Sequence, residues 1–167
     1  MSLNSFRTPN FGPIGIVDNN EVLFYRNNLK KQHISVHEIT SRVDLIKCVA
    51  GLDSKLIDYC VAQGDNGIVV EAMGRGNIPP QMVVGIKNAI KNNVAVVIVS
   101  RCFEGRVFDS YGYEGGGKEL RNLGVIFGDN LPGQRARIKL LLALSKTDDI
   151  EDVREIFEKG LYEYVKK

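Results

Sequence analysis

The run VAVVIVS, residues 94–100, does most to restrict how this chain can fold. It is apolar, rich in β-branched residues, and shows no alternation with polar ones. A strand of that kind must bury both faces. A parallel sheet covered by helices on each side offers that burial. GIVVEAM at 67–73 repeats the pattern, and VDLIKCVAG at 43–51 is a third, nearly continuous apolar run ending in glycine. All three read as buried strands.

Between and after these runs lie amphipathic stretches. Asp53 and Ser54 open DSKLIDYCVAQG, a predicted helix with Leu56, Tyr59 and Cys60 on one face and Gly64 as its stop. PPQMVVGIKNAIKNN predicts a second helix, with proline tolerated in its first turn. KELRNLG reads as a short helix and VIFGD as a short strand. LPGQRARIKLLLALSKT and DIEDVREIFEKGLYEYVKK read as two more helices, with Asp148 or Asp149 able to cap the second. Strands alternating with helices over short connections mean βαβ units. The expected fold is α/β: about four parallel strands with helices on both faces, Rossmann- or flavodoxin-like. Near the N-terminus, PIGIVDNNEVLFYR has two apolar runs joined by Asp18, Asn19 and Asn20. It reads as a β-hairpin, because asparagine tolerates positive φ.

The length of 167 residues, 44% hydrophobic, suits one domain spanning 1–167. The opening MSL has no structural logic, and residues 1–10 are expected to be partly foreign to the natural chain. A net charge of +2, with acids and bases interleaved, points to neither a nucleic-acid nor a membrane partner. No apolar run reaches the ~20 residues that span a bilayer. Cys48, Cys60 and Cys102 form no CxxC and are odd in number, so they read as reduced core residues in a reducing, cytoplasmic setting.

In a parallel sheet, ligands bind outside the carboxyl ends of the strands. Two loops fall there, 72–79 and 100–117. The second contains YGYEGGGKEL, which from Gly112 nearly spells a phosphate-binding loop ending in Lys118. Such a loop runs straight from strand to helix and supplies a hydroxyl after the lysine. Here a dozen residues intervene, and Glu119 would repel phosphate. The AMGRGNIPP loop has the right place for a dinucleotide site. However, Pro79 stands at the third glycine and no acid follows for a ribose. Gly74 and Gly76 read as a sharp turn, and Asn77 as a helix cap with a further role left open.

His33 and His37 are four apart, but QHISVHEIT alternates like a strand with both histidines on its solvated face, and no metal is expected. No nucleophile stands in a G-x-S-x-G setting, and no cysteine has a histidine at hand. Arg137, in GQRARIKL, reads as part of a helix face or as a buried partner for an acid. No cofactor is implied.

In order, FRTPNFGPIG, GIVVEAMGRGNIPPQMVVGIKNAI and VAVVIVSRCFEGRVFDSYGYEGGGKELRNLGVIFGDNLPGQRARIKLLLAL resemble the C-terminal domain of the bacterial-type L-asparaginases. The resemblance spans roughly residues 5 to 160. It implies hydrolysis of L-asparagine to L-aspartate and ammonia by a parent enzyme whose threonine nucleophiles lie in an N-terminal domain. Their T-G-G-T-like and D-G-T-D-like motifs do not occur here, and Thr8, Thr40 and Thr147 stand in unsuitable contexts. The chain alone is therefore expected to be inactive and to carry no catalytic residue.

The resemblance also implies a homo-oligomer, dimer or tetramer, in which this domain lends residues to a neighbouring subunit's site. It points to Asn77 of the G-x-G-N turn, or to Arg75 in an ungapped match. In the next loop it points to Glu114, with Tyr113 beside it; Asp109 is the other nearby carboxylate. The bland alternative is a tight surface loop that the glycines merely permit. Cys102 matches a cysteine of a regulatory asparagine site found in cytoplasmic members, but Glu71 stands where those members have arginine. Two other functions stay open. One is a stand-alone small-molecule-binding or regulatory domain; the other is a domain of a related aminoacyl-tRNA amidotransferase.

Overall fold

A computed structural model describes residues 7–8, 12–26 and 32–159. It separates into two compact units, 1–33 and 34–167.

In the first unit, β1 (Gly15–Asp18) pairs antiparallel with β2 (Glu21–Phe24), and Val17 stands opposite Val22. Asn19 and Asn20 both take positive φ, 46° and 65°, so the expected hairpin closes on a two-residue turn.

The second unit holds four parallel strands: β3 (Val43–Lys47), β4 (Gly67–Ala72), β5 (Ala95–Ser100) and β6 (Ile126–Phe127). They lie side by side in chain order. The crossovers carry α1 (Lys55–Ala62), α2 (Pro80–Lys91) and α3 (Gly117–Leu123). After β6 come α4 (Gly133–Lys146) and α5 (Ile150–Glu158), where Asp149 caps α5 by accepting from the Glu151 amide at 2.8 Å.

The two-sided burial read from VAVVIVS is realised on β5. Val96 and Ile98 enter a core with Ile57, Met82, Ile86 and Leu120 of α1, α2 and α3. Ala95, Val97 and Val99 enter a second core with Ala136, Leu140, Val153 and Phe157 of α4 and α5. Each fully buried valine or isoleucine contributes about 1.5–3 kcal/mol relative to exposure, so β5 anchors both layers. At Gly67 a Cβ would sit 2.8 Å from Leu140 Cδ2 and Leu144 Cδ1, which shows how closely α4 lies on the sheet.

Several expectations need correction. The third apolar run forms strand only to Lys47, and as an edge strand it leaves Asp44 and Lys47 exposed. In α1 the buried residues are Ile57 and Cys60, whereas Leu56 and Tyr59 face solvent. Residues 32–42 form no strand, although His33 and His37 are exposed as expected. Cys102 is exposed, not a core residue; Cys48 and Cys60 are buried. Arg137 lies on α4, as one of its two readings has it, but among the described residues it pairs with no acid: its Nε donates to the Val43 carbonyl at 2.7 Å. The end of the last predicted helix, 160–167, lies outside the described residues.

Candidate functional site

The two loops at the carboxyl ends of β4 and β5 are built against each other. The β4 loop closes first on itself. Asn77 N donates to the Met73 carbonyl at 2.9 Å and Met73 N returns the bond to the Asn77 carbonyl at 2.9 Å. Gly74 and Gly76 make this turn possible with φ of 51° and 108°. The β5 end is tied to it: Ser100 Oγ donates to the Gly74 carbonyl at 2.6 Å and accepts from Cys102 N at 3.0 Å. Arg101 Nη1 donates to the Cys48 carbonyl at 3.0 Å, which reaches the end of β3 as well. Burial pushes the Cys48 thiol up, partly offset by the Arg101 charge.

Two further bonds join the loops: Phe108 N to the Arg75 carbonyl at 3.0 Å, and Ile78 N to the Gly115 carbonyl at 2.9 Å. Asn77 and Glu114 each directly precede a member of the second pair, so the backbones carrying them meet. The Arg75 guanidinium lies over the Phe108 ring at 5.6 Å. Tyr111 and Tyr113 pair with tilted rings, centroids 5.6 Å apart.

The triple glycine is the packed root of this loop. Gly115, Gly116 and Gly117 are all buried. A Cβ on them would meet the carbonyl oxygens of Ile78, Tyr111 and Phe108 respectively. Glu119 clamps the same point by accepting from Gly115 N at 2.7 Å, and Lys87 lies 3.8 Å from its carboxylate. Glu119, the residue that spoils the phosphate-loop reading, is thus a latch, and Lys118 N is already bonded to the Tyr111 carbonyl at 2.9 Å.

Tyr113 and Glu114 project from this root into solvent. Glu114 makes no hydrogen bond or ion pair among the described residues, and with Gly112, Lys118, Glu119 and Asn122 it lines an open cleft of about 420 Å³. Asn77, Arg75 and Tyr113 do not line that cleft; they share with Glu114 the two joined loops.

Asn77 is not a helix cap. Pro79 holds the cap position of α2 with no side-chain bond, and the Asn77 amide oxygen is buried without a hydrogen-bond partner. Cys102 is exposed next to this loop system, while Glu71 is buried on β4 with Lys47 3.4 Å away. Thr40 and Thr147 lie on other segments. Thr147 is engaged at the start of α5, where its hydroxyl donates to Asp152 at 3.0 Å. Reading the sequence missed the structural roles of Ser100 and Glu119, whose signal was only a hydroxyl at a strand end and an acid four residues after a glycine.

The model of the glutaminase/asparaginase C-terminal domain matches residues 42–157. L-asparaginase of Bacillus licheniformis is 36% identical over 144 residues, covering 86% of this chain and 45% of the relative. A glutamyl-tRNA(Gln) amidotransferase subunit of Methanobrevibacter smithii is 31% identical over 163 residues, covering 95% of this chain and 37% of the relative. The corresponding subunit of Pyrococcus abyssi is 32% identical over 158 residues, covering 92% and 36%. The chain thus spans less than half the length of these curated relatives. Among the described residues no helix is long and apolar enough to cross a membrane. A parallel sheet with its loops stitched at the carboxyl edge, matched along most of its length by that domain model, belongs to the glutaminase/asparaginase C-terminal domain family.

Proposed function

We propose that this chain is the C-terminal part of an amidohydrolase that converts L-asparagine to L-aspartate and ammonia. The observation that supports the reading is the Ile78–Gly115 bond, which joins the backbones next to Asn77 and Glu114 at a point that Glu119 latches. A carboxylate there would pair with the α-ammonium of an amino acid, and an amide side chain would complete its polar contacts. Arg75 and Tyr113 flank them as further substrate contacts. The nucleophile belongs to the part of the protein that precedes this chain, so the chain alone releases no ammonia. Amide hydrolysis needs an activated nucleophile and an oxyanion site. Exposed Cys102 is a candidate effector contact, and the parent enzyme works as a cytoplasmic homo-oligomer in this reading.

The test uses the full-length protein. Asn77→Ala and Glu114→Ala should each lower kcat/KM for L-asparagine by about ten- to a hundredfold, the loss of a hydrogen bond to a charged group. Unchanged kinetics in both would reduce the loops to scaffolding. A second reading, an amidotransferase subunit, is favoured by the match to the M. smithii protein over 95% of the chain, against 86% for the asparaginase. Ammonia release that depends on glutamyl-tRNA would select it.

A further inference from the structure

At the amino edge of the sheet, away from the loops just described, β3, α1 and the turn into β4 bring Asp44, Cys60 and Asp65 together. One ligand atom from each lies within 4.8 Å of the others. The Cys60 thiol donates to Asp44 Oδ2 at 3.7 Å. Asp65 is placed by its own amide, which donates to the Cys60 carbonyl at 3.1 Å where α1 ends. Its side chain is only 2% exposed, and Arg42 Nε lies 3.5 Å from Oδ1. Oδ2 is buried without a hydrogen-bond partner. Asp44 is exposed and leaves an approach from solvent.

A buried carboxylate oxygen left unpaired beside a second carboxylate is costly. We propose that Asp44, Cys60 and Asp65 bind a thiophilic divalent cation of the zinc class, with water as the fourth ligand. One sulfur and two carboxylates make a three-residue donor set with an open position, as zinc accepts. The sulfur disfavours magnesium and calcium, which take oxygen ligands. Charge closes as well: a thiolate and two carboxylates are balanced by Arg42 and a divalent ion. Burial, then the charges of Asp44 and Asp65, push the Cys60 thiol up to about 12, so binding must expel that proton and weakens toward acid. Such an ion would staple the edge strand β3 to the α1–β4 corner.

The experiment titrates the purified chain with Co²⁺, in a Cys102→Ser background that removes the exposed thiol. The expected result is saturable one-to-one binding, a thiolate-to-cobalt charge-transfer band in the near ultraviolet, and a raised Tm. Cys60→Ser abolishes the band. Asp65→Asn and Asp44→Asn each weaken binding by more than about tenfold. Asp44→Asn alters an exposed residue and keeps the test decisive if Cys60→Ser fails to fold. The proposal is overturned by no saturable binding, by a band that survives Cys60→Ser, or by binding without a thiolate band. It is overturned equally if neither aspartate variant weakens binding.

Discussion

Replacing Gly115 with alanine tests whether the triple glycine is a packed root or slack. Gly115 sits at φ +80°. The left-handed region costs a non-glycine residue about 1–2 kcal/mol. The new Cβ would also collide with the Ile78 carbonyl oxygen, a backbone atom that cannot rotate aside. Relief requires the two loops to part, which breaks the Ile78 N to Gly115 O bond of 2.9 Å. Ile78 is 2% exposed, so its amide finds no water in exchange. A stranded buried donor adds about 1–3 kcal/mol. The sum, about 2–5 kcal/mol, lowers Tm by about 6–20 °C for a unit of this size, read by circular dichroism on heating. Two controls divide the effect. Gly74→Ala, at φ +51° with nothing within 4 Å of the new Cβ, shows the strain alone. Gly112→Ala, whose nearest neighbour is Lys118 Cδ at 3.8 Å, should stay within about 0.5 kcal/mol of the parent. If Gly115→Ala is no worse than Gly74→Ala, the loops are not interlocked as argued.

Further outcomes follow from the same structure. Glu158→Ala should cost about 2–4 kcal/mol in urea denaturation: Glu158 accepts from Arg121 Nη1 at 2.6 Å and from Phe127 N at 3.0 Å, and it is 12% exposed. Gly67→Ala should cost about 1–3 kcal/mol by overpacking against Leu140 and Leu144, and the same substitution should cost less when made in a Leu140→Ala background. In metal-free buffer, burial and then the Asp44 charge raise the Asp65 carboxyl above its ordinary range. An acid whose folded pKa is raised favours the folded state below its unfolded pKa and loses that advantage as pH climbs through the folded value. Asp65→Asn should therefore raise Tm more at pH 7 than at pH 4 in melting curves. An equal change at both would show that the carboxyl is not held protonated more readily in the fold.

The strands were legible because a residue run that buries both faces has few other places to go. β4 and β5 carry no exposed residue, and their bounds follow the apolar runs closely. Where a run lies at the sheet edge the argument weakens. After Lys47, Cys48 still donates to the Glu71 carbonyl at 2.9 Å, but Val49 is already half exposed. α1 is apolar on more than one side, so spacing alone did not choose between the Leu56–Tyr59 and Ile57–Cys60 stripes; packing with Met82 and Ile86 in one core decided. The stretch 33–40 alternates, but among the described residues it pairs with no strand and forms none itself. At the site, the loops could be located because parallel strands put their carboxyl ends on one edge. Their internal geometry could not, since a glycine demanded by a carbonyl of another loop looks like a glycine tolerated in a turn.

That distinction changes what the Tyr113–Glu114 tip can do. A slack loop would lose ordering entropy each time it met a ligand, about 1–2 kcal/mol per residue fixed. Here the root is fixed already: Gly115 N is held by Glu119, Gly116 N donates to the Tyr113 carbonyl at 2.8 Å, and Lys118 N to the Tyr111 carbonyl at 2.9 Å. The tip is short, and its remaining freedom lies in the side chains. Glu119→Gln keeps an acceptor for Gly115 N but removes the charge facing Lys87; Glu119→Ala removes both. If the latch preorganises the tip, Glu119→Ala should raise KM in the full-length protein by about fivefold or more while leaving kcat within about twofold, with Glu119→Gln in between. Equal losses in kcat and kcat/KM would instead place Glu119 among the groups that act on the transition state, and the tip would then owe its position to the glycines alone.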